Sequence, residues 1–462
     1  MPDGSDMRDD GVHGRIRRGG MLGGVVARHA VRSAAESAKA PFRSPAEVDA
    51  AREAAILKLA DDIVVVAGGM RGAAHKLGQL LGVLDLGLAT PETRAAFNER
   101  LAPLFSSVPR WDDRRMRRVL ERSLGPRSAR IARLDGAIAA ASIGQVYRGE
   151  LDDGRVVAIK IKYPDIDRMV RADLKNLGLM TRVLAKYAPG MNAEEIVAEV
   201  VDQISGELDF AQELASHTEF AQRYADHPVF TIPKPVPELC TSEVLVTEFL
   251  DGSPFDEAVH LGRDRRNEIG EAIYRFYCSE MYRIGRFSAD PHPGNVLILA
   301  DGKVGFLDFG LCVELTPPQL RTERLVFGAL LDGDVQTVYE HSTSAGFIVD
   351  PTSVGPHRLL EYMSAVVGWH LEAGEVTITP DLAAAAAAAA VLPQGGHIRR
   401  MGTQRMVRDH AFGRRNELAT CALLGRLEAT APWSAIAREA LGLAGPATPM
   451  GYQIAEWRSA AT

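Results

Sequence analysis

The sequence predicts an α+β fold of two lobes, a small sheet-bearing lobe and a larger helical one, behind a helical N-terminal extension. Three observations predict it. Short runs rich in β-branched and aromatic residues, at 139–150, 155–163 and 243–250, cluster in the middle of the chain. Helical periodicity precedes them, fills the interval between 165 and 223, and dominates after Asp251. One compact loop-and-strand stretch, 289–312, interrupts that later helical part.

Residues 1–45 are rich in Gly, Arg, Asp and Ser without sustained periodicity, and read as a mobile segment. Arg15, Arg17 and Arg18 precede a short apolar stretch at 21–27 that Arg28 and His29 interrupt, too short for a secretory core or a bilayer span. Residues 46–125 read as the helical extension. Ile56, Leu57, Leu59, Ile63, Val64 and Val65 recur on one face, and Trp111, Met116, Val119 and Leu120 mark a second amphipathic helix whose arginines read as a solvated face. Residues 126–250 read as the small lobe with a helical insert. Asp152-Asp153-Gly154 gives a hairpin signal, because Asp-Gly tolerates the positive φ of a tight turn. Residues 251–445 read as the helical lobe and 446–462 as a C-terminal tail. The alanine run at 383–390, soon followed by Pro393, is too short to cross a bilayer.

With 46% apolar and 24% charged residues, the chain is globular rather than fibrous or disordered. A net charge of −7 supplies no global attraction for nucleic acid. The cysteines (Cys240, Cys278, Cys312, Cys421) contain no Cys-x-x-Cys pair and read as buried thiols in a reducing compartment. The expected location is cytoplasmic, at most peripheral at the inner face of the membrane, with no transmembrane helix.

The chemistry begins at Val156-Val157-Ala158-Ile159-Lys160. A lysine closing a β-branched run puts an ammonium at the end of a buried strand, where it needs an anionic partner. The V-A-I-K lysine of protein kinases holds nucleotide phosphates and pairs with a helix glutamate. Kinases place G-x-G-x-x-G-x-V before that strand. Here the stretch is Ala139-Ala140-Ala141-Ser142-Ile143-Gly144-Gln145-Val146, so the third glycine and the valine fit while alanines replace the first two glycines. Each alanine adds a Cβ and restricts φ, which alters the phosphate cradle.

The decisive stretch is Ala289-Asp290-Pro291-His292-Pro293-Gly294-Asn295, followed by Asp308-Phe309-Gly310. Asp290 and Asn295 keep the separation of the aspartate base and asparagine metal ligand in H-R-D-x-x-x-x-N, and Asp308 heads a D-F-G. One carboxylate, one amide oxygen and phosphate oxygens suit hard Mg²⁺, which keeps several waters. His292, between two prolines, reads as a residue that holds the loop by hydrogen bonds rather than as a base or ligand. A protein-kinase-like fold binding ATP with Mg²⁺ follows from these elements in this order.

Arg71-Gly72-Ala73-Ala74-His75-Lys76-Leu77-Gly78-Gln79 resembles the K-x-G-Q signature of the UbiB/AarF/ADCK atypical kinases. Glu207-Leu208-Asp209 resembles their E-x-D element, and residues 139–142 their alanine-rich loop. The resemblance runs from about residue 69 to about residue 315. It implies that Glu213 pairs with Lys160 and that Lys76, with Gln79, faces Glu207 and Asp209 across the groove where a peptide would lie. It differs at Ser288, where relatives often have histidine, and in lacking the C-terminal membrane-spanning helices of some bacterial relatives.

No A-P-E follows the D-F-G, so peptide phosphorylation is not the expected activity. The resemblance implies ATP hydrolysis or phosphotransfer coupled to an isoprenoid lipid or quinone precursor, with a peripheral membrane surface as a further partner and no nucleic acid. In that reading Asp290 orients or deprotonates the acceptor, Asn295 and Asp308 hold metal, Lys160 and Glu213 hold phosphates, and Glu248-Phe249-Leu250 meet adenine. Two alternatives stand beside it: a nucleotide-gated binding module with negligible turnover, and a small-molecule kinase whose catalytic loop also contains H-P-G-N.

Overall fold

The computed structural model describes residues 111–141, 143–168, 208–348, 355–391 and 408–460, with isolated positions at 54–64, 96–100, 170 and 206. Lys76, Gln79, Ser142 and Glu207 lie outside the described residues, as do the expected mobile segment and most of the helical extension. The chain divides into two compact units. One gathers 1–119, 138–145 and 162–208, and the other 120–137, 146–161 and 209–462.

In the first unit Trp111 stacks on Tyr163 at 5.7 Å, and the Arg115 guanidinium lies 4.3 Å from the Trp111 ring. The Tyr163 N–H donates to the Ile143 carbonyl at 2.9 Å, and Ala141 N–H to Gly144 O at 2.8 Å. Helix α1 (Asp113–Leu124) begins where Asp112 accepts from the Arg114 N–H at 2.7 Å. Met116, Val119 and Leu120 are buried, the face that the apolar spacing indicated.

Strands β1 (Ile131–Ala140), β2 (Gly144–Leu151), β3 (Val156–Lys162) and β5 (Val244–Glu248) form a sheet in the order β1-β2-β3-β5. The hairpin turn joins β2 to β3, with Gly154 at φ +86° and Leu151 N–H bonded to Arg155 O at 2.9 Å. Strand β1 has no counterpart among the expected strands. It lies at the sheet edge and buries only Leu134, so the apolar run that announces an inner strand is absent. On β3, Val157, Ile159 and Ile161 point into the core while Ala158 and Lys160 alternate to the other face. Strand β5 runs antiparallel, with Lys160 opposite Leu245.

Helix α2 (Phe210–Arg223) starts at Asp209, whose carboxylate accepts from Ala211 N–H at 3.1 Å and Gln212 N–H at 3.0 Å. Beyond it, β4 (Phe230–Thr231), β6 (Gly252–Pro254), β8 (Val296–Leu299) and β9 (Val304–Phe306) make a second sheet ordered β4-β9-β8-β6. Strand β7 (Arg286–Ser288) pairs antiparallel with β10 (Cys312–Glu314). The expected strand region at 289–312 is therefore a pair of short ladders from which two loops emerge.

The helical part is built on α4 (Arg263–Tyr274), a π-helical turn at Arg275–Ser279, and α5 (Glu280–Ile284), all one continuous rod. Phe276 stacks on Phe306 at 3.8 Å, and Tyr282 on Phe327 at 4.5 Å, so the rod joins two apolar clusters. Helix α6 (Pro317–Asp332) shows its sequence cause plainly: Thr316 and Gln319 form a capping box, proline opens the helix, and Gly333 at φ +69° ends it. Helix α9 (Pro380–Val391) packs on α10 (Arg408–Leu427), which with α11 (Trp433–Leu441) and α12 (Pro449–Ala460) packs around the rod. Stretch 446–462, read as a tail, contains α12. Its buried residues are Gly451 and Ile454, too few to give a periodic signal. Arg458 nonetheless bonds Glu280 at 2.8 Å, and a Cβ at Gly451 would meet Arg275 at 2.7 Å.

Cys240, Cys278 and Cys421 are buried free thiols, while Cys312 is half-buried. Among the described residues no helix is long and apolar enough to cross a membrane.

Candidate active site

Two loops and one helix face converge beside β3. The first loop, between β7 and β8, carries Asp290 and Asn295; the second, between β9 and β10, carries Asp308-Phe309-Gly310. The helix is α2. Its Glu213, His217 and Phe220 are four and then three residues apart, which puts them on one buried face.

That face makes two connections at once. Glu213 accepts from Lys160 Nζ at 2.8 Å and 3.1 Å, one contact to each carboxylate oxygen. One turn further on, the His217 and Phe220 rings lie 4.6 Å and 4.9 Å from the Phe309 ring, which is 1% exposed. Packing Phe309 under α2 turns its neighbour Asp308 outward, where Oδ2 sits 3.6 Å from Lys160 Nζ. Lys160 thus stands between two carboxylates. Glu213 is 2% exposed and Asp308 32%, so only the latter is presented to solvent and to a ligand.

Asp308 is held from its other side by the Gly310 N–H, which donates to Oδ1 at 2.8 Å. A Cβ at Gly310 would lie 3.2 Å from that same oxygen, which favours glycine there. The Leu307 N–H donates to the Asn295 carbonyl at 3.1 Å, tying the two loops together next to Asp308. Asn295 turns its amide nitrogen to the Asp290 carbonyl at 3.2 Å and so directs its oxygen elsewhere. A carboxylate and an amide oxygen on tied loops are hard donors of the kind Mg²⁺ takes, and the residues present fit that ion. His292 acts within the loop, as its sequence position indicated: Nδ1 accepts from the Gly294 N–H at 3.1 Å.

At 248–250 the backbone is unevenly committed. Glu248 N–H donates to Lys234 O at 2.8 Å and Phe249 N–H to Val156 O at 3.1 Å, whereas the Leu250 N–H makes no backbone hydrogen bond among the described residues. Gly144 and Val146 lie on β2, Ala139 and Ala140 at the end of β1, and Ala141 between the two strands. Asp209 is exposed and its observed partners are the N-terminal amides of α2, a capping task that its place in an E-x-D pattern did not suggest. Sequence reasoning also missed His217 and Phe220. Their spacing from Glu213 was the available signal, but only the position of Phe309 gives it meaning.

His217 makes a testable contribution to stability. Its Nε2 bonds the Pro233 carbonyl at 2.8 Å and its Nδ1 has no partner among the described residues. Burial chiefly, opposed by that carbonyl, pushes its pKa down from 6.5 to about 4. The folded state binds its proton less readily than the unfolded state does. The stability it confers is therefore full above about pH 6.5 and is lost as pH falls toward 4. Going from pH 8 to pH 5 should cost about 2 kcal/mol from this residue. Denaturant unfolding at both pH values should show the pH penalty shrinking by that amount in His217→Gln.

Comparison with known proteins places the chain in a family. A model of the ABC1 atypical kinase-like domain matches residues 103–342, just over half the chain, and spans Lys160, Glu213, Asp290, Asn295 and Asp308. The chain belongs to this family, the UbiB/AarF/ADCK atypical kinases. Mitochondrial atypical kinase COQ8B of Rattus norvegicus is 34% identical over 296 residues, covering 63% of this chain and 54% of that protein. COQ8B of Danio rerio is 30% identical over 342 residues, covering 72% of this chain and again 54% of the relative. This UbiB/AarF/ADCK chain thus spans about half the length of those curated relatives. Among solved structures, the Rv3197–erythromycin complex from Mycobacterium tuberculosis superposes with a TM-score of 0.58 at 27% identity, over 86% of this chain and 98% of that one. The expected protein-kinase-like fold and the family resemblance are both upheld.

Proposed function

We propose that this atypical kinase binds Mg-ATP and either hydrolyses it or transfers its phosphoryl group to an isoprenoid-lipid or quinone-type acceptor at a membrane surface. The observation that carries the reading is Lys160 Nζ, held 2.8 Å from Glu213 and 3.6 Å from Asp308. A lysine so placed is poised for phosphate oxygens, with Asp308 available to a cation that bridges them. Asn295 and Asp308 would hold Mg²⁺, which when bound neutralises charge on the phosphate oxygens. Adenine would meet the Glu248 carbonyl and the Leu250 amide, with Phe249 between them. Ala139, Ala140, Ala141, Ser142, Gly144 and Val146 form the candidate phosphate-side loop, and Lys76 and Gln79 with Glu207 and Asp209 the candidate regulatory element. Asp290 would accept the proton of the attacking hydroxyl or water. The COQ8B relatives motivate the quinone context.

The test is Mg²⁺-dependent ATP hydrolysis by the full chain, with and without anionic liposomes, beside Asp308→Asn. Turnover that needs Asp308 and rises with lipid is the expected result. Turnover unchanged by the substitution would sink the assignment. Nucleotide bound but not turned over in either condition would favour the gated binding module. Phosphorylation of a soluble alcohol or amine, without a lipid effect, would favour a small-molecule kinase.

A further inference from the structure

The loop from Ser288 to Asn295 contains no lysine or arginine, although its Asp290 faces a site with a second carboxylate and, in the proposed function, a triphosphate. A cation reaches it from elsewhere. Arg415 on α10 places Nη2 3.7 Å from Asp290 Oδ1, with the two side chains 23% and 21% exposed. Arg415 lies well beyond the residues that the family model matches.

Its support is unusually well built. On one side Arg414 bonds Glu417 at 2.6 Å and Glu323 at 3.3 Å. On the other, Asn416 Nδ2 donates to the Tyr277 carbonyl at 2.6 Å, and Tyr282 Oη donates to Glu417. A Cβ at Gly413 would lie 3.2 Å from Met281 Sδ, so the helix approaches the central rod closely there. Residues 413, 414, 416 and 417 are thus fixed by buried contacts to α5, α6 and the π-helical turn. Of these consecutive residues, Arg415 is the one turned to Asp290. A buried polar frame of this kind sets both the depth and the rotation of a helix, which is what a precisely aimed side chain requires.

We infer that Arg415 is a positioning residue for the reaction, holding the Asp290 carboxylate oriented from outside the catalytic loop. This rests on the proposed phosphoryl-transfer reading. There the acceptor O–H gives its proton to Asp290 as the oxygen–phosphorus bond forms and the bond to the ADP oxygen breaks. A guanidinium beside that carboxylate fixes which way it faces and offsets negative charge gathering in the site.

The experiment compares full-length wild type, Arg415→Ala, Arg415→Lys, Asp290→Asn, Asp308→Asn and the Arg415→Ala/Asp290→Asn pair. Arg415→Ala should lower kcat for Mg-ATP roughly 10- to 100-fold, a part of what loss of the base itself costs. KM for ATP should move less than about threefold, because Arg415 acts on the proton acceptor rather than on nucleotide binding. Arg415→Lys, or added guanidinium with Arg415→Ala, should restore part of the rate. In the Asp290→Asn background, Arg415→Ala should cost almost nothing further, whereas a merely structural residue would cost as much as before. Circular dichroism and the unfolding midpoint identify any variant that fails to fold, and the lysine variant then carries the test. If Asp308-dependent turnover is present and Arg415→Ala keeps kcat within twofold, or if its loss adds in full to that of Asp290→Asn, this inference is overturned and the proposed function stands. If no turnover depends on Asp308, both fall.

Discussion

Asp290→Asn is expected to lower Mg-ATP turnover by roughly 10²- to 10⁴-fold, the span typical of losing a positioned general base. The substitution keeps the shape of the side chain and removes its charge and its capacity to take a proton. It leaves the loop standing, because the loop is held by other groups. Asn295 bonds the Asp290 carbonyl rather than its carboxylate, and His292 bonds the Gly294 amide. Nucleotide affinity should therefore survive while kcat falls. Equilibrium binding of a fluorescent ATP analogue, measured beside single-turnover phosphate release, separates the two. Loss of binding in step with loss of turnover would show that Asp290 serves structure instead.

Asp308→Asn should lower turnover by roughly 10²- to 10³-fold, the scale of removing one preorganised electrostatic partner, and should raise the Mg²⁺ concentration needed for half-maximal binding of ATP. The geometry explains why a near-isosteric change is costly. One carboxylate oxygen accepts from the Gly310 N–H at 2.8 Å and the other lies 3.6 Å from Lys160 Nζ. An amide can offer an acceptor to only one of these donors and must turn its NH₂ toward the other. It also withdraws the negative charge that a divalent ion needs. Because Asp308 is about one-third exposed, the fold should suffer little, and the unfolding midpoint provides the control. A normal Mg²⁺ titration for the variant would move the metal site away from Asp308.

The candidate site was legible wherever its chemistry is local in sequence. A strand-ending lysine, a D-x-x-x-x-N loop and a D-F-G each carry their meaning within a few residues, so Lys160, Asp290, Asn295 and Asp308 could be named before their positions were known. Glu213 was assigned only through a family pattern. Nothing in the sequence around it sets it apart from Glu207 or Glu219, and it is α2 packing against β3 and Phe309 that brings it to Lys160. Arg415 was not legible at all: it is one of several arginines on a helix with a weak apolar stripe, and its partner comes from a remote loop.

Elements divided in the same way. Helix α6 announces itself through Thr316, Gln319, its opening prolines and Gly333, and the β2–β3 turn through Asp-Gly. Strand β1 and helix α12 do not, because each buries too few side chains to imprint a period. By itself, then, the sequence determined the α+β two-lobed class, the kinase-like loops, and the identity of four charged or amide side chains that carry the proposed chemistry. Only the tertiary structure decided which glutamate meets Lys160, that Phe309 sits beneath α2 with Asp308 turned outward, and that the arginine beside Asp290 comes from α10. The physical reason is range: capping, turn chemistry and side-chain alternation act over a few residues, whereas a pairing between distant segments is set by how whole helices and sheets bury their apolar faces.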